Sequence, residues 1–96
     1  MKLLSIVRAH DGVHKYKAKF QHDDGRTKTT LFGAQGMDDY TLTHDKEQRE
    51  RYRQRHRKDL ATADPTRAGH LSWYVLWGDS TSLQENIASY RRRFNL

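Results

Sequence analysis

Arginine occupies every second position from Arg49 to Arg57 in the run Arg-Glu-Arg-Tyr-Arg-Gln-Arg-His-Arg-Lys. A guanidinium is permanently charged and presents a planar fork of donors that matches phosphate and carboxylate oxygens. The chemistry on offer is recognition of a polyanion; the plain alternative is the solvated face of a surface helix. Secondary structure decides how much of the run acts together. On a strand, Arg49, Arg51, Arg53, Arg55 and Arg57 would share one face. On a helix, at about 100° per residue, Arg49, Arg53 and Arg57 fall on one side and Arg51 and Arg55 on nearly the opposite one. Propensity favours the helix. Between Asp45 and Asp59 seven cations, Lys58 included, meet four acids. Pairs such as Glu47 with Arg51, or Glu50 with Lys46 or Arg53, contribute only a few tenths of a kcal/mol each and cannot absorb that excess.

Two other basic features point the same way. Lys15, Lys17, Lys19, Arg26 and Lys28 are spaced to line one face of a hairpin, and Arg91, Arg92 and Arg93 close the chain's last helical pattern. Each has an ordinary explanation as well: lysines protect sheet faces and edges, and cations complement the end of a helix dipole. Six histidines invite a catalytic or metal-binding reading. They are dispersed, and no HExxH or His/Cys cluster occurs. His44-Asp45 and the pairs Asp23-Asp24 and Asp38-Asp39 are the remaining material for a metal-dependent nuclease, but turn and capping roles account for the same residues. The expectation is therefore no enzyme, no catalytic residue, no metal and no cofactor. The glycines of Gly33-Ala34-Gln35-Gly36 lack the spacing and the lysine of a phosphate-binding loop.

The elements that must position these residues form an α+β pattern in a single domain spanning 1–96. Asp11-Gly12 and Asp24-Gly25 are hairpin turn signals, and Lys15–Phe20 alternates basic and apolar residues with strand period. A three-stranded antiparallel meander over about residues 2–33 follows. Taking Asp24-Gly25 as a two-residue turn pairs Phe20 with Thr29 and Ala18 with Leu31, and the first turn sets Val7 against Tyr16 and Leu3 against Phe20. Three short helices come next, over about 45–59, 65–77 and 83–94. Asp45 with Gln48 and Ser82 with Glu85 read as capping boxes. Asp64-Pro65 reads as a helix start and Gly78 as a stop. Leu83, Ile87, Tyr90 and Phe94 form one apolar stripe on the last helix. The middle helix is apolar on all sides, which suits a core element or a helix covered by a partner, with Trp73 and Trp77 as candidate interface anchors.

Composition sets the limits. The chain has 96 residues, 34% hydrophobic and 31% charged, with a formal charge of +6. Its core must be thin, and its charge favours phosphate-rich or acidic partners. The absence of cysteine removes disulfides, zinc ribbons and thiol catalysis. The apolar run at Leu3–Val7 is too short for a signal peptide or a membrane span, so a membrane partner and secretion are not expected.

The blocks Phe32-Gly33-Ala34-x-Gly36-x-x-Asp39-Tyr40-Thr41 and Asp45-Lys46-x-x-Arg49-x-x-Tyr52-x-x-Arg55-His56 resemble a family of small basic proteins, of unknown function, encoded by giant and large DNA viruses of algae and protists. Ala68-Gly69-x-Leu71-Ser72, Leu76-Trp77 and Ser89–Phe94 are similar as well, so the resemblance spans about 14–96. It departs around Asp59–Thr62 and at Gly78-Asp79. The resemblance implies a habitat, a virion or the host cytoplasm or nucleus, and brings no activity. The expected function is a non-enzymatic virion component, minor capsid or core, that binds other virion proteins or acidic protein surfaces. The alternative is a DNA- or RNA-binding protein contacting phosphates through the arginine helix and the lysine hairpin face.

Overall fold

A computed structural model describes all residues from Met1 to Leu96. Strands β1 (Lys2–Arg8), β2 (His14–Gln21) and β3 (Thr27–Ala34) form an antiparallel sheet in the order β1-β2-β3. Four helical segments follow: α1 (Tyr40–Thr43), α2 (Lys46–His56), α3 (Ala68–Leu71) and α4 (Leu83–Phe94). A 3-10 turn, Arg57–Leu60, extends α2, and a π turn, Ser72–Leu76, extends α3. The α+β class and the meander agree with the sequence reading, and the helical count gains the short α1.

The β2–β3 register differs from expectation by one residue. Phe20 lies opposite Lys28, Ala18 opposite Thr30 and Tyr16 opposite Phe32. The cause is the turn. His22 and Arg26 pair across three residues, Asp23-Asp24-Gly25, with Gly25 at φ +91° and the Asp24 carboxylate accepting from the Arg26 amide. A left-handed glycine closing such a loop makes a bulge that a two-residue turn lacks. Because side chains alternate, one residue of slip turns β3 over. Phe32 enters the core against Tyr16, with ring centroids 5.8 Å apart, and Lys28 turns inward while Leu31 faces out. In β1 the Leu3–Phe20 pair is as expected, but a register shift between Leu3 and Ser5 sets Val7 opposite Lys17 and leaves it exposed. Ile6, opposite Ala18, takes the core position instead.

The core joins the inner sheet face (Leu3, Ala18, Phe20, Phe32) to Tyr40, Leu71, Val75, Leu76, Trp77 and Tyr90. The α3–π segment is its centre. It starts at Ala68 rather than at Pro65. Asp64 spends its carboxylate on the amide and hydroxyl of Thr66, a local turn that competes with helix. The carbonyls of Pro65 and Thr66 accept from the Tyr90 and Thr30 hydroxyls, so this stretch bridges α4 and β3. The π winding, with the Trp77 amide donating to the Ser72 carbonyl, inserts a residue into the turn. Val75, Leu76 and Trp77 are all buried in consequence.

The segment ends at Leu76, just before Gly78, which does not take the left-handed conformation of a C′ glycine but is required on steric grounds. A Cβ there would lie 2.3 Å from the Tyr74 carbonyl oxygen and 2.8 Å from the Asn86 amide. Asn86 is buried on α4 and donates to the Val75 and Ser80 carbonyls while accepting from the Ser80 amide. Both capping signals operate. Asp45 accepts from the amides of Glu47 and Gln48, and Ser82 accepts from that of Glu85. The return bonds of the capping boxes do not form, since Gln48 accepts from Thr43 and Glu85 from Ser80. No helix is long and apolar enough to cross a membrane.

Candidate functional site

Helical geometry divides the arginine run between two tasks. Tyr52, on the inward side of α2, stacks on Trp77 with centroids 4.5 Å apart and planes 8° apart. That contact fixes the rotation of α2 about its axis. Arg49 and Arg53, flanking Tyr52, are carried to the end of the π turn. Arg53 Nε and Nη2 donate to the Trp77 carbonyl at 3.2 and 2.9 Å. Arg49 Nη1 donates to the Gly78 carbonyl at 3.3 Å, and its guanidinium lies 4.6 Å from the Tyr40 ring centroid. These carbonyls sit where a helix end leaves acceptors unfilled and where its dipole favours cations. Arg49 and Arg53 are 13% and 19% exposed, so they cap the protein's own helix and are not available to a partner.

Arg51 and Arg55, on the opposite flank, are exposed, as are Arg57 and Lys58 on the 3-10 turn. None of these four makes an ion pair; Glu50 pairs with Arg49 and Arg53, and Asp59 with His56. Glu47 stands on the same outward side without pairing to Arg51.

The other predicted cations sort in the same way. Lys17 and Lys19 are exposed on the outer sheet face. Lys15 is not: its ammonium lies 2.6 Å from Asp39, with the two side chains 10% and 2% exposed. Asp39 also caps α1 by accepting from the Thr41 amide and hydroxyl, so Lys15 ties β2 to the connector. Lys28, turned inward by the register, donates to the Thr66 hydroxyl at 2.8 Å. Arg26 pairs with Asp24 within the turn. Arg91 donates to the Leu3 carbonyl, closing the end of α4 onto β1, while Arg92 and Arg93 are exposed and Arg93 lies 4.9 Å over Tyr74.

Of the two roles open to the middle helix, core or partner surface, the structure shows Trp77 in the core and Trp73 at its edge. Trp77 is 7% exposed beneath Tyr52, and Trp73 is partly covered, with the Arg53 guanidinium 5.7 Å from its ring. In a chain this poor in apolar residues, the indoles are needed inside. Burial also pushes the Tyr52 hydroxyl up to about 12, so it stays protonated at neutral pH.

Beside α2 lies a cleft of about 440 Å³, with Tyr52, Arg55, His56, Met37, Gln48 and Trp77 among its lining residues. His56 stacks on the other side of Tyr52, with centroids 4.3 Å apart and planes 23° apart, and its Nδ1 is 3.0 Å from Asp59. Their spacing of four puts Tyr52 and His56 on one side of a helix, but no local pattern encodes the three-ring column that Trp77 completes from another helix. A second concavity, of about 530 Å³, lies between the first hairpin turn and the connector, with Arg8, His10, His14 and Asp38 among its lining residues. No group of three or more potential metal ligands converges anywhere in the chain. His44 ends α1 in a left-handed conformation, and Asp11 holds the first turn through the Val13 and His14 amides.

A family model described as a family of unknown function (DUF5754) matches residues 4–56. The match takes in the sheet from Leu4 onward, the connector, α1 and α2, and ends at His56. No curated protein and no solved structure matches the chain.

Proposed function

The chain belongs to the family of unknown function DUF5754, and from there we propose that it is a non-enzymatic nucleic-acid-binding protein that contacts phosphates through the outward flank of α2. The observation that carries this reading is the set of four exposed cations, Arg51, Arg55, Arg57 and Lys58, left without ion pairs on one short helical stretch. Unpaired cations on a rigid element attract a polyanion by releasing its counterions. The Tyr52–Trp77 stack keeps that element rigid. Lys17 and Lys19 on the outer sheet face, and Arg92 and Arg93 at the chain's end, are further exposed cations.

The test is binding to duplex and single-stranded DNA and RNA as a function of salt. Each phosphate contact contributes about −0.9 to the slope of log K against log salt on duplex DNA. Arg51→Ala and Arg55→Ala should each reduce that slope by about one contact and weaken binding alike on all sequences. Absence of binding to every nucleic acid at low salt would remove the proposal.

A second reading, assembly into a particle of a large DNA virus, is favoured by a different surface. Val13 in the first turn, Met37 in the connector and Leu42 on α1 are 63%, 64% and 65% exposed, and exposed apolar side chains of this size suit a protein partner. That reading requires stoichiometric presence in purified particles and protection of Met37 from oxidation there.

A further inference from the structure

We infer that the cleft beside α2 receives an unpaired nucleobase, which makes single-stranded nucleic acid the preferred ligand; this rests on the phosphate-contact reading above and specifies it. Trp77, Tyr52 and His56 form a continuous column of rings at 4.5 and 4.3 Å. Its inner member is buried, while His56 at the outer end keeps 42% of its side chain exposed. Asp59 holds the imidazole by its Nδ1, so the outer ring is presented in a fixed orientation. A fixed, partly exposed aromatic ring is what an unstacked base requires, and any base can use it, since every base has a π face.

The surroundings suit a base attached to a backbone. Arg55 lines the same cleft, is exposed and has no carboxylate partner, so a phosphate on the rim would meet it as a base entered. Inside, Gln48 and Asp38 supply a donor and an acceptor for a base edge, and Met37 supplies apolar contact. Gln48 Oε1 is already occupied by Thr43, which orients the amide and leaves its NH₂ group free to donate. A volume of about 440 Å³ is within the range of small-ligand sites and too small for a helix or a folded partner. In a duplex the bases are paired and stacked, so this site would be closed to them.

The experiment compares a short single-stranded oligonucleotide, the same sequence as duplex, and the mononucleotide alone, with native protein, His56→Ala and His56→Phe. The expected result is tighter binding of the single strand than of the duplex. His56→Ala should lose about tenfold on the single strand and change little on the duplex. His56→Phe, which keeps a ring at the end of the column, should retain single-strand affinity, and thermal melting of both variants separates lost binding from lost folding. Equal affinity for single strand and duplex, with no effect of His56→Ala, overturns this inference and leaves the phosphate reading intact. A mononucleotide that binds as tightly as the oligonucleotide overturns the assignment to a strand. No binding to any nucleic acid removes both.

Discussion

Arg53→Ala is expected to destabilise the fold by about 2 kcal/mol, while Arg51→Ala, two residues away on the same helix, should stay within about 0.5 kcal/mol. The difference follows from what each side chain touches. Arg53 directs two donors at the Trp77 carbonyl, at 3.2 and 2.9 Å, and a third contact at Asp79 Oδ1, at 3.1 Å. The Asp79 side chain is 83% exposed, so that pair is screened by water and contributes little. The carbonyl is different. It belongs to a residue 7% exposed at the end of the π turn, where no backbone amide remains to satisfy it. A hydrogen bond from a charged donor to such a group is worth about 1.5–3 kcal/mol, and removing the guanidinium also uncovers Trp73. For a domain of this size 1 kcal/mol moves Tm by roughly 4–8 °C, so Arg53→Ala should melt about 10 °C below the native protein and Arg51→Ala alongside it. Urea unfolding followed by tryptophan fluorescence gives the free energies. Arg53→Lys should recover only part of the loss, because an ammonium cannot place two donors in the guanidinium's fork. Equal destabilisation by Arg51→Ala and Arg53→Ala would refute the division of the run into capping and free arginines.

Two further outcomes follow from buried groups. Lys15→Met leaves the Asp39 carboxylate, 2% exposed, without its counter-charge and should cost about 3 kcal/mol; adding Asp39→Asn should return part of that in a double-mutant cycle, and strict additivity would show that the pair is not coupled. His70 is 4% exposed and its Nδ1 has no hydrogen-bond partner, and burial pulls its pKa below the ordinary 6.5. The folded state therefore disfavours the protonated ring, so stability is complete above pH 6.5 and declines as the pH falls from there through the depressed folded value. Asp11, Asp23 and Asp64 are held below the usual 3.8 by hydrogen bonds, and their contribution fades only below that value. The slope of stability just below pH 6.5 should thus flatten in His70→Leu, and an unchanged slope would assign the acid sensitivity elsewhere.

The sequence alone determined what depends on local periodicity and helix capping. Strand alternation produced the meander, Asp45 and Ser82 marked the starts of α2 and α4, and Gly78 marked the end of the middle helix. Helical spacing of about 100° separated Arg49 and Arg53 from Arg51 and Arg55 before any contact was known. Tertiary structure decided what that separation meant. Which flank faces inward depends on Tyr52 finding Trp77 from another helix, and no local pattern encodes that meeting. For the lysines the length of a turn mattered as well: one extra residue in the Asp23–Gly25 turn changed the face of β3, took Lys28 inward against Thr66 and put Leu31 out. Asp39, across a connector with no periodicity, engaged Lys15. Net charge is a property of composition, but the charge left for a partner is what remains after the fold has used arginines and lysines to fill its own helix end and pair its own buried carboxylate.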